Sequence, residues 1–425
     1  NVDEMLKVLQ KRLLKELKYK YPEYVDSDNL IFAMQDIFSY TGQSFIILID
    51  EWDCLFREYK QDEEAQRKYL DFLRVWLKDK AYIALAYMTG ILPVKKYGTH
   101  SALNMFMEYS MTDPGNMAEY FGFTEKEVES LCVEYGMSIE EAKAWYNGYG
   151  LYSHNKQEDI LYSIYNPKSV VEAMLRHRFG NYWNQTETYE ALKVYIQMNM
   201  DGLKDAIVEM LAGNSVRINI GTFHNDMTTF ATRDDILTLL VHLGYLTYDV
   251  EKESVRIPNK EVAKEYINAI STMDWKEVIS SINNSRRLLE ALWNLDADKV
   301  AAGVNKAHEE ISILQYNDEN SLSCTISLAF YFAREYYTIV RELPTGKGFA
   351  DICLIPRKIH MDKPAVVIEL KWDKSASGAI SQIKEKKYIE ALSEYQGNLI
   401  LAGINYDKKT KKHTCLIEKV NYNLR

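Results

Sequence analysis

Near the C-terminus two apolar runs follow one another, GFADICLIP over 348–356 and AVVIELK over 365–371. Such runs, with a short polar stretch between them, read as neighbouring strands joined by a hairpin. Residues i and i+2 of a strand project to the same face, so Glu369 and Lys371 point together near the end of the second strand. Asp351 stands at the head of the first. Glu-x-Lys by itself is common, and its ordinary reading is a surface ion pair. An Asp opening one apolar strand, with Glu-x-Lys closing the next, is more specific. Hydrolysis of a phosphodiester needs a hard divalent cation held by carboxylates, and it gains from a positive charge beside the attacking oxygen. Asp351, Glu369 and Lys371 supply those groups.

Further residues extend the pattern. Gln382 lies in SQIKEKKYIEAL, on a helix expected over 379–394. From there Gln382, Lys386 and Lys387 can face the acids, and Lys384 adds another positive charge for phosphate. Glu319, in NDENSLSCTISLAFY, opens the helix expected around 321–334 and can reach a metal; Glu309 and Glu310 are its rivals. Further strands are expected over 337–342 and 398–404.

The chain carries a net charge of −10, which by itself argues against nucleic acid, but the charge is unevenly spread. Residues 356–425 hold fourteen Lys and Arg against eight Asp and Glu, a net +6, and the other 355 residues carry −16. A basic end on an acidic body is what phosphate contacts require, although a solvated lysine-rich surface has the same composition.

SFIILIDEWD, over 44–53, is an apolar strand ending in acids. Its continuous apolar run fits a strand buried on both faces of a parallel sheet. A helix over 63–79 and a second buried strand over 82–88 follow, which makes an α/β unit. From residue 116 the texture turns helical. Thr124 and Glu127 form a capping box, and the YNP at 165–167 starts another helix. DDILTLLVHLG, YLTYDVE and VRIP then read as a helix and two strands of a winged helix, with an earlier helix over 202–212. With no basic residues on DDILTLLVHLG, this helix is not expected to read DNA.

Two broad classes are disfavoured. No segment reaches the about 18 apolar residues of a membrane-spanning helix. Five scattered cysteines with no CxxC suggest neither zinc nor a disulfide framework, and fit reduced thiols in a cytoplasmic protein.

The residues GFAD, VIELK and QIKEKKY, with Glu319, resemble the PD-(D/E)XK nuclease domain that follows an AAA-ATPase-like domain in a large bacterial family. That resemblance covers the last ~130 residues. It implies that Asp351 and Glu369 are metal ligands and that Lys371 positions the attacking water. Ala350 stands where the motif's name has Pro. LIDEWDCLFRE, AYMTGILPVKKYGTHSALN, YFGFTEKEV, AWYNGY and YNPKSV resemble the ATPase-like half of the same family. That half implies a Walker B strand, with Asp50 holding Mg²⁺ through water, Glu51 polarising the attacking water, and Thr89 in the sensor position. No GxxxxGK[ST] loop occurs in the sequence. In the family that loop lies upstream of where this chain starts. Because residue 1 is Asn, a fragment of a longer protein is the expected reason. Weak or no ATP binding by the chain as given is then expected.

The expected architecture is α/β and multidomain. It comprises a partial P-loop ATPase parallel sheet over 1–115, a helical middle over 116–285 with a winged-helix-like module at about 202–270, and a restriction-endonuclease-like α/β domain over 286–425. The expected activity is ATP-regulated, metal-dependent cleavage of nucleic acid, DNA foremost, with Mg²⁺ or Mn²⁺ as cofactor and ATP in the full-length protein. No membrane partner is expected, and an oligomer is compatible with the sequence. The rival reading is a regulatory ATPase whose C-terminal domain only binds nucleic acid or is inactive.

Overall fold

A computed structural model describes residues 2–59, 61–93, 96–97, 100–101, 103–154, 159–183, 189–198, 200–223, 230–273, 275–310, 319–345, 348–385, 392 and 398–420. The chain forms two compact units. One comprises 1–118, 151–160 and 218–253; the other comprises 119–150, 161–217 and 254–425. Among the described residues no helix is long and apolar enough to cross a membrane.

The first unit opens with helices Val2–Lys20 and Leu30–Thr41. The two are separated at YPEYVDSDN, where Pro22 cannot continue an α-helix. Asn29 restarts it, its side chain accepting from the amides of Ile31 and Phe32. Strands Phe45–Ile49 and Ile83–Met88 pair in parallel, connected through helix Glu63–Leu77. Both strands were expected to be buried on both faces, and they are not. Ile46 and Leu48 are 65% and 72% exposed, and Leu85 and Tyr87 are also exposed, while Phe45, Ile47 and Ile49 are partly buried. The described helices cover one face of this pair of strands. Helix Arg233–His242, also in this unit, is buried almost all round, from Asp235 to Val241. A helix buried on every side leaves no face for a groove of DNA.

The second unit begins with helices Glu125–Tyr135, Ile139–Tyr146 and Pro167–Arg176 around a core that includes Val128, Tyr146, Tyr165 and Met174. The Thr124–Glu127 capping box forms as the sequence indicates. Helices Leu203–Leu211 and Lys260–Ser271 follow, with the short strand Ser254–Arg256 before the second of them. Lys276–Trp293, Ala297–Glu310 and Glu319–Ala329 then lead to a five-stranded sheet. Its strands lie in chain order: Tyr337–Thr345, Gly348–Pro356, Ala365–Trp372, Leu399–Asp407 and Lys412–Val420. The first three form an antiparallel meander. The fourth runs parallel to the third, which requires a crossover, and the crossover contains helix Ala376–Glu385. The fifth strand returns antiparallel. It is an edge strand with mixed polar composition, and nothing in its hydrophobic pattern announced it. The central strand Ala365–Trp372 is buried from Ala365 to Lys371, as a strand with neighbours on both sides and a helix above should be.

Candidate functional site

The hairpin of Gly348–Pro356 and Ala365–Trp372 brings the three C-terminal residues together. The ladder pairs Ile352 with Ile368, and one residue further on the same register sets Asp351 opposite Glu369. Asp351 Oδ2 accepts from the Leu370 amide at 2.6 Å, which holds this carboxylate against the neighbouring strand. Glu369 and Lys371 share a face, and Lys371 Nζ donates to Glu369 Oε1 at 2.9 Å. The ordinary reading of Glu-x-Lys, a surface ion pair, does not describe this pair: the Glu369 side chain is 1% exposed and that of Lys371 10%. Gln382, on helix Ala376–Glu385, donates its side-chain amide to the same Glu369 oxygen.

Gly403 makes room for that helix. It pairs with Glu369 in the ladder, and a Cβ there would lie 2.3 Å from the Ala376 carbonyl oxygen. A side chain at 403 would push the start of the helix off the sheet, and Gln382 with it. Both carboxylates are felt two residues along the strand. Burial, and then the negative charges of Glu369 and Asp351, push the Cys353 thiol up to about 12. Glu342 is a further irregularity. It stands between the Arg341–Ile352 and Leu343–Ala350 pairs, opposite Asp351, with φ at +50°. A non-glycine residue held there stores about 1–3 kcal/mol of strain, and such positions cluster at functional sites.

Glu319 opens helix Glu319–Ala329 as expected, but its side chain lies outside the described set, as does that of Glu310. Glu309 is exposed on helix Ala297–Glu310. Lys384 pairs with Glu418 at 2.6 Å, while Lys386 and Lys387 lie outside the described residues. Among the described residues no three His, Cys, Asp or Glu side chains gather into a metal-holding group. The described oxygen donors are therefore the pair Asp351 and Glu369.

In the N-terminal unit, Asp50 and Thr89 meet at the ends of the two parallel strands, where Thr89 Oγ1 donates to Asp50 Oδ1 at 2.5 Å. Parallel sheets present ligands at this edge. Glu51 adopts φ +50° and is held by Arg57 at 3.1 Å. Sequence reasoning passed over Asp53, three residues past Asp50. It is fully buried, and its Oδ2 accepts from the amides of Ile91 and Leu92 at 3.1 and 2.9 Å. It thereby ties the loop after Thr89 to the loop after Asp50. The second Asp of DEWD was the available signal.

Residues 318–415 match the family model of the PD-(D/E)XK nuclease superfamily, and residues 1–99 match a family described as "Predicted AAA-ATPase". An uncharacterized protein from the vnfD 5′ region of Azotobacter chroococcum mcd 1 is 24% identical over 265 residues, 59% of this chain and 47% of that protein. The match thus spans about half the length of that relative. No solved structure matches.

Proposed function

We propose that this chain, AAA-ATPase-like at its N-terminus and of the PD-(D/E)XK nuclease superfamily at its C-terminus, is a metal-dependent nuclease. It hydrolyses phosphodiester bonds, with DNA as the favoured substrate. ATP regulates it through Asp50, Glu51 and Thr89. The observation that carries this reading is the buried Glu369–Lys371 pair with Asp351 held on the adjacent strand.

The donor set suits a hard cation. Asp351 and Glu369 offer carboxylate oxygens, and Mg²⁺ or Mn²⁺ sites commonly use one or two carboxylates with water and phosphate oxygens in the remaining positions. Nucleases of this superfamily generally use divalent metal ions. When bound, the cation supplies charge neutralisation at the phosphate and a more acidic water. Lys371 keeps a positive charge beside Glu369, where it stabilises the attacking oxygen and the charge that builds on phosphorus in the transition state. Gln382 fixes the orientation of the Glu369 carboxylate by donating to Oε1. Burial of Glu369 and Lys371 excludes bulk water and strengthens each of these interactions.

The test is cleavage of linear and plasmid DNA, with RNA as comparator, by full-length protein in Mg²⁺ or Mn²⁺. Wild type should cut, EDTA should stop it, and Ca²⁺ should support binding with little cleavage, because it tolerates loose geometry. Equal cleavage by wild type and Lys371→Ala assigns the activity elsewhere. No cleavage of any DNA or RNA, with ATP present, replaces this reading with a regulatory ATPase whose C-terminal domain only binds.

A further inference from the structure

At the end of the sheet where Glu369 and Lys371 lie, the chain turns through a run of lysines. Strands Leu399–Asp407 and Lys412–Val420 are joined by a tight turn over 408–411. Lys408, Lys409, Lys411 and Lys412 are all exposed, and none makes an ion pair among the described residues. Lys374, also exposed, stands just past the end of the strand that carries Lys371. Residues 373–374 and 407–412 together hold five Lys and two Asp, a net +3 in a chain of net −10. Lys384, from which a phosphate contact was expected, pairs with Glu418 instead.

A lysine-rich turn is by itself an ordinary solvated surface. This one is tied to the strand of the site. Asp407 Oδ1 accepts from the amides of Lys409 and Thr410, at 2.8 Å each. Asp373 Oδ1 accepts from the Lys408 amide at 2.6 Å, and Asn405 Oδ1 from the Lys374 amide at 2.9 Å. Both aspartates therefore hold backbone, and the lysine side chains stay uncommitted. Lys371 pairs with Asn405 in the parallel ladder, so the turn begins three residues, about 10 Å, beyond the residue beside Lys371. Parallel strands present ligands at this end. A span of about 10 Å is roughly three nucleotides along one strand of B-DNA. A membrane surface would call for apolar side chains beside the lysines, and the turn has none: its other residues are Asp407 and Thr410.

We propose that the turn carrying Lys408, Lys409, Lys411 and Lys412, with Lys374 beside it, grips the backbone of a nucleic-acid strand. It takes phosphates about three nucleotides from the one at Asp351, Glu369 and Lys371. Contacts to phosphate set affinity and register without reading bases, so the grip is independent of sequence. The proposal rests on the nuclease reading for the kind of partner, and it adds the surface that holds that partner.

The experiment is fluorescence anisotropy of the full chain in EDTA, so that binding is read without cleavage. The probes are a labelled DNA duplex of about 20 base pairs and its single strand, over about 50–200 mM salt. One variant combines Lys408→Gln, Lys409→Gln and Lys411→Asn; Lys411 has φ +55°, a left-handed position that Asn tolerates. The control combines Lys7→Gln, Lys11→Gln and Lys15→Gln, exposed on helix Val2–Lys20, and loses the same charge. The turn variant should bind about tenfold more weakly or worse, and its slope of log affinity against log salt should be shallower by about 2–3. The control should match wild type, and all three should share one circular dichroism spectrum. Equal binding by turn variant and wild type, equal loss in both variants, no binding of either probe, or binding of anionic phospholipid vesicles alone would overturn the proposal. Cleavage by wild type with normal binding by the turn variant removes this contact and leaves the nuclease reading. Turn-dependent binding with no cleavage does the reverse.

Discussion

Lys371 and Glu369 form an ion pair of 2.9 Å within the sheet, with the Glu369 side chain 1% exposed and that of Lys371 10%. Two charges removed from water are costly to keep, and their mutual attraction offsets that cost only with good geometry and added hydrogen bonds. Gln382 donates one such bond to the same carboxylate oxygen. The neighbouring Asp351 is fixed separately by the Leu370 amide, so the two carboxylates are oriented by different partners.

Lys371→Ala should lower cleavage on the order of 10² to 10³, the usual effect of removing one electrostatic group at a transition state. It should also destabilise the protein, because it leaves Glu369 as a buried charge without its cation. The cost of breaking such a pair is about 3–5 kcal/mol. Urea unfolding monitored by fluorescence, beside cleavage kinetics, reads both effects. An unchanged urea midpoint would contradict the buried pair.

Gln382→Ala removes an orienting hydrogen bond and no charge. Partners of this kind typically cost 10–100-fold in metal affinity or activity when removed. The Mg²⁺ concentration for half-maximal cleavage should therefore rise about tenfold, with cleavage recovering at saturating metal. A fall in maximal rate at unchanged metal dependence would mean that Gln382 does not act through Glu369.

Gly403→Ala places a Cβ against the Ala376 carbonyl and the Ala379 side chain, at 2.3 and 2.9 Å. Backbone cannot yield there cheaply, so the helix carrying Gln382 must shift. Melting temperature and cleavage should fall together, the stability loss being about 1–3 kcal/mol by analogy with overpacked cores. A Gly403→Ala protein with wild-type stability and activity would show that the close approach is not required.

Glu261 supplies a pH-dependent stability. It is fully buried on helix Lys260–Ser271 and accepts from Ser169 Oγ and from the amides of Tyr182 and Trp183. Burial pushes its carboxyl up to about 7, with the charge of Glu265 adding to the rise. The folded state therefore holds this proton more tightly than the unfolded chain. The resulting stability is fully present below the ordinary carboxyl value near 4.5 and is lost as pH rises through about 7. The full swing is on the order of 3 kcal/mol. Glu261→Gln keeps an acceptor for the same donors and cannot ionise. It should be more stable than wild type at pH 8, with the difference shrinking toward pH 5. Parallel melting curves across that range check the sign.

The sheet's first four strands and the site's three charged residues could be read from local patterns. Apolar runs mark the strands, and the i, i+2 spacing puts Glu369 and Lys371 on one face whatever the rest of the fold does. The helix holding Gln382 was legible for the same reason. The fifth strand, Lys412–Val420, was not, because an edge strand need not be apolar to be held by its neighbour. The strands Phe45–Ile49 and Ile83–Met88 were read correctly as parallel strands and wrongly as doubly covered. Composition records that a residue is apolar, but burial depends on which elements pack against it.

The sequence by itself determined which residue types could do chemistry and along which strands they lie. Strand periodicity and the apolar runs are local properties, set by backbone sterics and by the need to bury side chains. Only the tertiary structure decided that the Glu369–Lys371 pair is buried, that Gln382 reaches Glu369, and that Gly403 is what lets its helix do so. It also decided that Asp53 joins the loops behind Asp50 and Thr89, which lie 39 residues apart in the chain. The contacts of Gln382, Gly403 and Asp53 each join segments brought together by the crossover of a parallel pair of strands, and no local pattern in a sequence encodes how closely such segments approach.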